Sequence, residues 1–216
     1  MTDHLSELLR RHEALYTVKE AICQAFGTLK DCFSQGGTLF VCGNGGSAAD
    51  AEHIVGELMK GFLLPRRQRG SLHDQLEGLF GEEGKKIALG LQGGLRAVSL
   101  NGHPSLATAF ANDVDADLVF AQQLSVLAKP GDVLLGLTTS GNSRNVLKAL
   151  RVAKAMGVKS VAMTGAKGGE CVKLADCAIK VPETETFLVQ ELHLPVYHAL
   201  CAMLEEHFFH VDGVAR

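Results

Sequence analysis

The chain has 216 residues, of which 46% are apolar and 21% are charged, and its formal net charge at pH 7 is -3. Residues 1–216 are therefore expected to form one domain around a single sizeable core. A charge near zero, without a sustained run of Lys or Arg, argues against nucleic acid or an anionic membrane surface as a partner, and we expect a small soluble ligand.

Helices and strands alternate along the chain. Residues 3–35 carry apolar side chains at steps of three and four, which predicts one or two amphipathic helices in an N-terminal helical segment, residues 1–35. Five short apolar runs with helical patterns between them then predict right-handed βαβ units and a buried parallel sheet. The runs are TLFVC at 38–42, LRAVSLN at 95–101, DVLLGLT at 132–138, KSVAMTG at 159–165 and CAIKVP at 177–182.

Two later segments depart from this alternation. Residues 66–86 mix charges of both signs with four glycines around one short amphipathic piece. We interpret them as an inserted, mobile excursion. The last long helical pattern, from about 185 to 209, contains Pro195, which predicts a kinked or restarted helix.

Two polar loops follow predicted strands and open predicted helices, GNGGS at 43–47 and TTSGNS at 138–143. Backbone N–H groups at a helix N-terminus, together with hydroxyls, suit a phosphate. In open α/β sheets ligands bind beyond the carboxyl ends of the strands, so the two loops predict a phosphosugar crevice. For either loop alone, helix capping and glycine turns are the alternative interpretation.

The first loop also satisfies the loose dinucleotide-binding fingerprint, G-x-G-x-x-A at 43–48. That fold needs an acidic residue about 20 positions further on to hold the ribose. The chain has PRR at 65–67 instead, and the next strand pattern ends in Asn101. A nicotinamide or flavin nucleotide is therefore not expected.

Four side chains are candidates for proton transfer or metal binding. His53 and Glu57 lie one turn apart on the helix predicted after the first loop. Gln190 and His198 lie about 80° apart on a regular helix, an angle that a kink would change. This mixed nitrogen and oxygen set suits either a divalent zinc-like ion or metal-free proton transfer, and the sequence leaves both open. By itself, a His–Glu pair at this spacing is usually a surface pairing.

The cysteines and the N-terminus indicate the compartment. No Cys-x-x-Cys pair is present, the first residues are too polar for a signal peptide, and no apolar run reaches the length of about 18 residues that spans a membrane. We therefore expect reduced thiols, a cytoplasmic location and no membrane partner. The cysteines are Cys23, Cys32, Cys42, Cys171, Cys177 and Cys201.

Four stretches between residues 36 and 205, GNGGSAADAEHIVGEL, AND, GDVLLGLTTSGNS and QELHLPVYH, together resemble the phosphoheptose isomerase family of sugar isomerase (SIS) domain proteins. The resemblance implies a flavodoxin-like three-layer αβα fold with a five-stranded parallel sheet. It also implies homotetramers with sites between subunits. The insertion at 66–86 has no counterpart in typical members, and TFLV at 186–189 replaces residues that are often polar or charged.

The resemblance also implies roles for individual residues. The family's catalytic and zinc positions match His53, Glu57, Gln190 and His198, with one optional zinc ion per subunit. The positions that match substrate contacts lie in the two loops, in an Asn-Asp pair and at the glutamine: Asn44, Gly45, Gly46, Ser47, Asn112, Asp113, Thr138, Thr139, Ser140, Ser143 and Gln190.

The expected activity is conversion of sedoheptulose 7-phosphate to D-glycero-D-manno-heptose 7-phosphate through an enediol. We expect Glu57 to be the carbon-proton base and His198 the oxygen-proton partner, because carboxylate and imidazole suit those transfers. One alternative is a non-catalytic phosphosugar-binding regulatory protein of the replication-initiator-binding type, whose members lack counterparts of Glu57 and His198. Another is an isomerase that acts on a different sugar phosphate.

Overall fold

A five-stranded sheet, parallel throughout, forms the centre of the computed structural model, which describes residues 3–67 and 70–210. Its strand order, β2-β1-β3-β4-β5, is the flavodoxin-like one, and every predicted strand lies within its predicted range. The α/β prediction is therefore confirmed. The strands are β1 Leu39–Cys42, β2 Ala97–Ser99, β3 Val133–Leu137, β4 Lys159–Thr164 and β5 Cys177–Lys180.

Helices connect the strands and precede them. The α-helices in chain order are α1 Asp3–Arg11, α2 Lys19–Ser34, α3 Gly46–Met59, α4 Ser71–Gly90, α5 Pro104–Phe110, α6 Val119–Leu127, α7 Arg144–Ala155, α8 Cys171–Leu174 and α9 Thr186–Phe209. Two 3-10 segments, Glu13–Val18 and Ala116–Leu118, and one π-helical turn, Ala111–Asp115, complete them.

Alternate side chains of the strands enter two separate cores. In β1, Leu39 and Val41 pack with α1, α2, α3 and α9, whereas Phe40 and Cys42 pack on the other face with α6 and α7. Both faces of the sheet are covered, which is why its strands appear in the sequence as continuous apolar runs. The predicted three layers are thus present.

The N-terminal segment forms two helices, as predicted, separated by a 3-10 turn. Leu5 and Leu9 of α1 and Ile22 and Leu29 of α2 are buried in the first core. The first two residues of the predicted segment, 1 and 2, lie outside the described residues.

The segment predicted as an excursion begins and ends differently from the prediction. Arg66 is fully buried, and its carbonyl oxygen accepts a hydrogen bond from Gly93 N at 2.6 Å. Arg67 pairs with Gln92 in an isolated antiparallel bridge. Between these anchors, α4 consists of two helical parts that meet in a kink at Gly81, whose φ of +55° favours glycine. The segment contains more helix than the one short piece predicted, and its residues 68 and 69 lie outside the described part.

Helix α9 runs without interruption through Pro195, so no restart occurs there. By length and composition it could cross a membrane, but 56% of its most apolar window is buried inside the domain. It packs against α1, α2 and α3. Its apolar character therefore serves the first core.

Candidate active site

The two predicted loops meet at the point where the strand order reverses. The loop at 43–47 follows β1, and the loop at 138–143 follows the neighbouring strand β3. Asn44 and Asn145 exchange carboxamide hydrogen bonds of 2.9 and 2.8 Å, which tie the first loop to the start of α7. Their convergence creates the crevice in which open α/β sheets bind ligands.

The first loop is shaped by close backbone packing. A side chain on Gly43 would place its Cβ 2.5 Å from the carbonyl oxygen of Ser47, so only glycine fits. The backbone N–H and C=O of Gly43 pair with the Asn101 side chain at 3.3 and 2.9 Å. Ser47 is buried, whereas Asn44 and Gly45 are exposed. The loop thus opens α3 with exposed polar atoms at the crevice.

The second loop brings hydroxyl groups to the N-terminus of α7. Thr138 is buried and donates to the Ser143 hydroxyl oxygen at 3.0 Å, while Ser140 is exposed and Thr139 half-buried. Gly141 has a φ of +71° and contacts Gly168 directly, so the loop after β4 supports this turn. Hydroxyls next to a helix N-terminus form an arrangement suited to a phosphate.

The predicted Asn112-Asp113 pair lies on the π-helical turn that follows α5. Both residues are exposed on the π-helical turn, where Asn112 donates to Asp113 at 2.9 Å. Two residues later, Asp115 pairs with Lys148 of α7 at 2.7 Å. The turn is therefore tied to the helix that follows the second loop, and among the described residues no hydrogen bond joins the pair to the other predicted substrate residues.

His53 joins the predicted acid–base residues. Its Nε2 atom lies 3.2 Å from Glu57 Oε1 on the same helix and 3.4 Å from His198 Nε2 on α9. The Glu57 side chain is mostly buried, and Lys60 Nζ lies 3.4 Å from its other oxygen. The contact of His53 with His198 therefore joins residues of the same polypeptide that lie 145 positions apart in the sequence.

Gln190 lies against the first loop. A Cβ atom on Gly46 would lie 2.8 Å from both polar atoms of the Gln190 carboxamide, so glycine is needed for this close approach. Because Gln190 and His198 belong to the same helix, α9 borders both the loop and the acid–base cluster.

Three groups around His53 have shifted pKa values. Burial lowers the pKa of His198, the neighbouring His53 lowers it further, and Glu57 opposes both effects. Burial raises the pKa of Asp50, against the hydrogen bond from Tyr197 and the charge of His53. Burial and the Asp50 charge raise the pKa of Tyr197, so its hydroxyl stays protonated.

The sequence did not identify Asp50, Tyr197, Asn101 or Asn145 as site residues. Tyr197 Oη lies 3.1 Å from Asp50 Oδ1 and 3.0 Å from His53 Nδ1. An Asp one turn before a His on the same helix was the available signal for Asp50. The asparagines are recognisable only because they follow the carboxyl ends of strands.

The donor types of the candidate set match those of zinc sites. His53 Nε2 lies within 3.2–3.4 Å of donors from Glu57 and His198. A tetrahedral zinc ion with bonds of about 2.0–2.2 Å separates its ligand atoms by about 3.3 Å. In the described part of the chain, however, no group of three or more His, Cys, Asp or Glu side chains could hold a metal ion. The zinc prediction depends on these two pairs and on Gln190.

The chain is similar to known proteins along most of its length. SIS domain models match residues 105–204 and 3–72. The chain is 37% identical to a phosphoheptose isomerase of Helicobacter pylori, covering 97% of this chain and 99% of that protein, and 38% identical to that of Rhodospirillum rubrum, covering 86% and 85%. The solved structure of phosphoheptose isomerase from Neisseria gonorrhoeae superposes with a TM-score of 0.73 at 32% identity, covering 94% and 95% of the two chains.

Proposed function

Since the chain belongs to the phosphoheptose isomerase family of SIS-domain proteins, we propose that it converts sedoheptulose 7-phosphate to D-glycero-D-manno-heptose 7-phosphate. The observation that carries the proposal is the contact of His53 with both Glu57 and His198 beside the two polar loops. Glycine-rich and hydroxyl loops alone would suit any phosphosugar binder, whereas a carboxylate next to two imidazoles suits proton transfer.

The phosphate group is held by the second loop in this proposal. Exposed Ser140 and half-buried Thr139 supply hydroxyls, and the N-terminus of α7 supplies backbone N–H groups and a favourable dipole. Ser47 and Asn44 of the first loop position the sugar chain, and Asn112 and Asp113 stay predicted substrate contacts.

The proton transfers assign separate tasks to Glu57 and His198. The Glu57 carboxylate removes a proton from C1 of the ketose, and the electron pair forms the enediol double bond. The same carboxylate returns the proton to C2, while His198 moves a proton from O1 to O2, so that substrate and product have the same atoms. The lowered pKa of His198 keeps its imidazole neutral, the form that can both accept and donate a proton.

We also propose one zinc ion per subunit, which His53, Glu57, Gln190 and His198 would hold. When bound, such an ion would act as a Lewis acid on the substrate oxygens. His53 and Gln190 orient the same oxygens by hydrogen bonds.

We further propose a cytoplasmic homotetramer. Support comes from the family resemblance and from exposed apolar side chains on the two helices that carry the site: Met59 on α3 and Phe187 and Leu194 on α9. A second subunit would cover them. His53, Glu57 and His198 already meet within one chain, so a partner would add residues other than these.

The test is turnover of sedoheptulose 7-phosphate by the purified protein, with and without zinc, followed by NMR. Glu57→Gln should lower kcat by about 10²–10⁴-fold, the contribution typical of a general base. Glu52→Gln, on an exposed position of the same helix, is the matched control and should keep wild-type turnover. Near-full turnover by Glu57→Gln would contradict the assignment. Tight sugar-phosphate binding without turnover by the wild type would favour a regulatory role, and turnover of another sugar phosphate would change the substrate.

A further inference from the structure

His53 also takes part in a hydrogen-bond network with Tyr197 and Asp50, through the ring nitrogen that does not face Glu57 and His198. Tyr197 Oη is 3.0 Å from His53 Nδ1 and 3.1 Å from Asp50 Oδ1. The Tyr197 side chain is fully buried, and its ring meets that of His53 edge-on, with centroids 5.5 Å apart. The proposed reaction uses neither Asp50 nor Tyr197.

Tyr197 donates to Asp50 Oδ1, whereas the direction of its hydrogen bond with His53 Nδ1 depends on the tautomer of His53. The Tyr197 hydroxyl has one proton, and an ionised Asp50 carboxylate can only accept. The other Asp50 oxygen, Oδ2, is buried without a hydrogen-bond partner among the described residues. The hydrogen bond from Tyr197 is therefore the one that stabilises this carboxylate. When the hydroxyl donates to Asp50, its oxygen accepts from His53, which requires a hydrogen on His53 Nδ1.

A hydrogen on Nδ1 leaves the lone pair of the neutral ring on Nε2. That atom is the one within 3.4 Å of both Glu57 and His198. The ring is also held sterically, because His198 meets it edge-on at 4.9 Å. The Asp50–Tyr197 pair therefore favours a neutral His53 with its lone pair on Nε2, and it acts against the nearby Glu57 carboxylate, which favours a hydrogen on Nε2.

We propose that Asp50 and Tyr197 are positioning residues that keep a hydrogen on His53 Nδ1 and direct the Nε2 lone pair into the site. The catalytic consequence rests on the proposed function, but the tautomer does not. Groups that hold the second nitrogen of a working histidine typically contribute 10–100-fold to metal affinity or activity.

The first test reads the tautomer directly in metal-free protein. Protein labelled with ¹⁵N-histidine gives long-range ¹H–¹⁵N spectra at pH 7.5, and a His53→Gln variant assigns the signals. We expect the Nδ1–H form for the wild type and a shift toward the Nε2–H form for Tyr197→Phe, which keeps the ring but loses the hydroxyl. Tyr16→Phe is the matched control because Tyr16, the other tyrosine of the chain, is exposed, and it should leave the spectrum unchanged.

The second test measures zinc affinity and turnover. Tyr197→Phe should weaken zinc binding, measured by chelator competition, by about 10–100-fold. Asp50→Asn should weaken the tautomer preference as well, since a carboxamide can donate as well as accept. An Nε2–H form in the wild type, or an unchanged tautomer in Tyr197→Phe, would overturn the proposal. A tautomer that behaves as expected in a protein without isomerase activity would refute only the proposed function.

Discussion

Arg66→Met is expected to be severely destabilising, because Arg66 forms the buried ion pair that joins α3 to α9. Its Nε donates to Glu205 Oε1 at 2.7 Å, and neither side chain is more than 1% exposed. Its Nη1 and Nη2 atoms donate to the carbonyl oxygens of Leu58 and Glu57 at 2.6 and 3.0 Å. One guanidinium thus caps the end of the helix that carries the proposed base.

The expected loss in the free energy of unfolding is about 3–5 kcal/mol, the usual cost of removing one partner of a buried ion pair. Glu205 would keep its hydrogen bonds from three backbone N–H groups, those of Phe62, Leu63 and Leu64. These bonds place the expected value nearer the lower end. The two α3 carbonyl groups lose their donors as well, which adds about 1 kcal/mol each if water does not replace Arg66.

Arg10→Met is the matched control, because Arg10 and Glu7 have the same 2.7 Å separation but are exposed. Its expected effect on the free energy of unfolding is small, because water and salt screen an exposed pair. Urea unfolding of both variants, followed by circular dichroism, measures the difference. A loss below about 1 kcal/mol for Arg66→Met would refute the argument that burial makes the pair essential.

Three further predictions concern the loop, the buried histidine and the core. Gly141→Ala should raise KM for sugar phosphate and lower stability, because Gly141 has a φ of +71° and an added Cβ would collide with a neighbouring carbonyl group. Gly36 has a φ of +72° but open space around it, so Gly36→Ala should lower stability by only about 1 kcal/mol and leave KM unaltered. Equal KM values for the two variants would contradict this. Burial lowers the pKa of His193 to about 4, from about 6.5 in the unfolded chain, so the free energy of unfolding is constant with respect to this group above pH 6.5 and falls by about 3 kcal/mol as pH drops toward 4. His193→Leu should flatten the pH dependence of the free energy of unfolding between pH 4 and 6.5. An unchanged slope would be evidence that His193 does not cause this dependence. Leu135→Ala should cost about 2–5 kcal/mol in urea unfolding, against little for exposed Val126→Ala, and similar costs would show that β3 is not a core strand.

The sequence determined the strands and the two loops because both follow from local chemistry. A parallel strand covered on both faces must be apolar throughout, so runs such as VLLGL are visible without any structure. Glycines and hydroxyls after such a run mark the loops. His53 and Glu57 were recognisable as a pair because the α-helix places residues four apart on one face.

Only the tertiary structure decided which of these pieces meet. The contact of His53 with His198 and the Asn44–Asn145 pair join residues more than 100 positions apart, and no periodicity records such pairs. Arg66 begins a segment whose composition is typical of an exposed loop, yet its side chain is buried because Glu205 neutralises its charge. The hydrophobic periodicity of a segment indicates which of its faces is buried. The partner of a buried polar group, in contrast, is determined by how helices distant in sequence pack on the sheet.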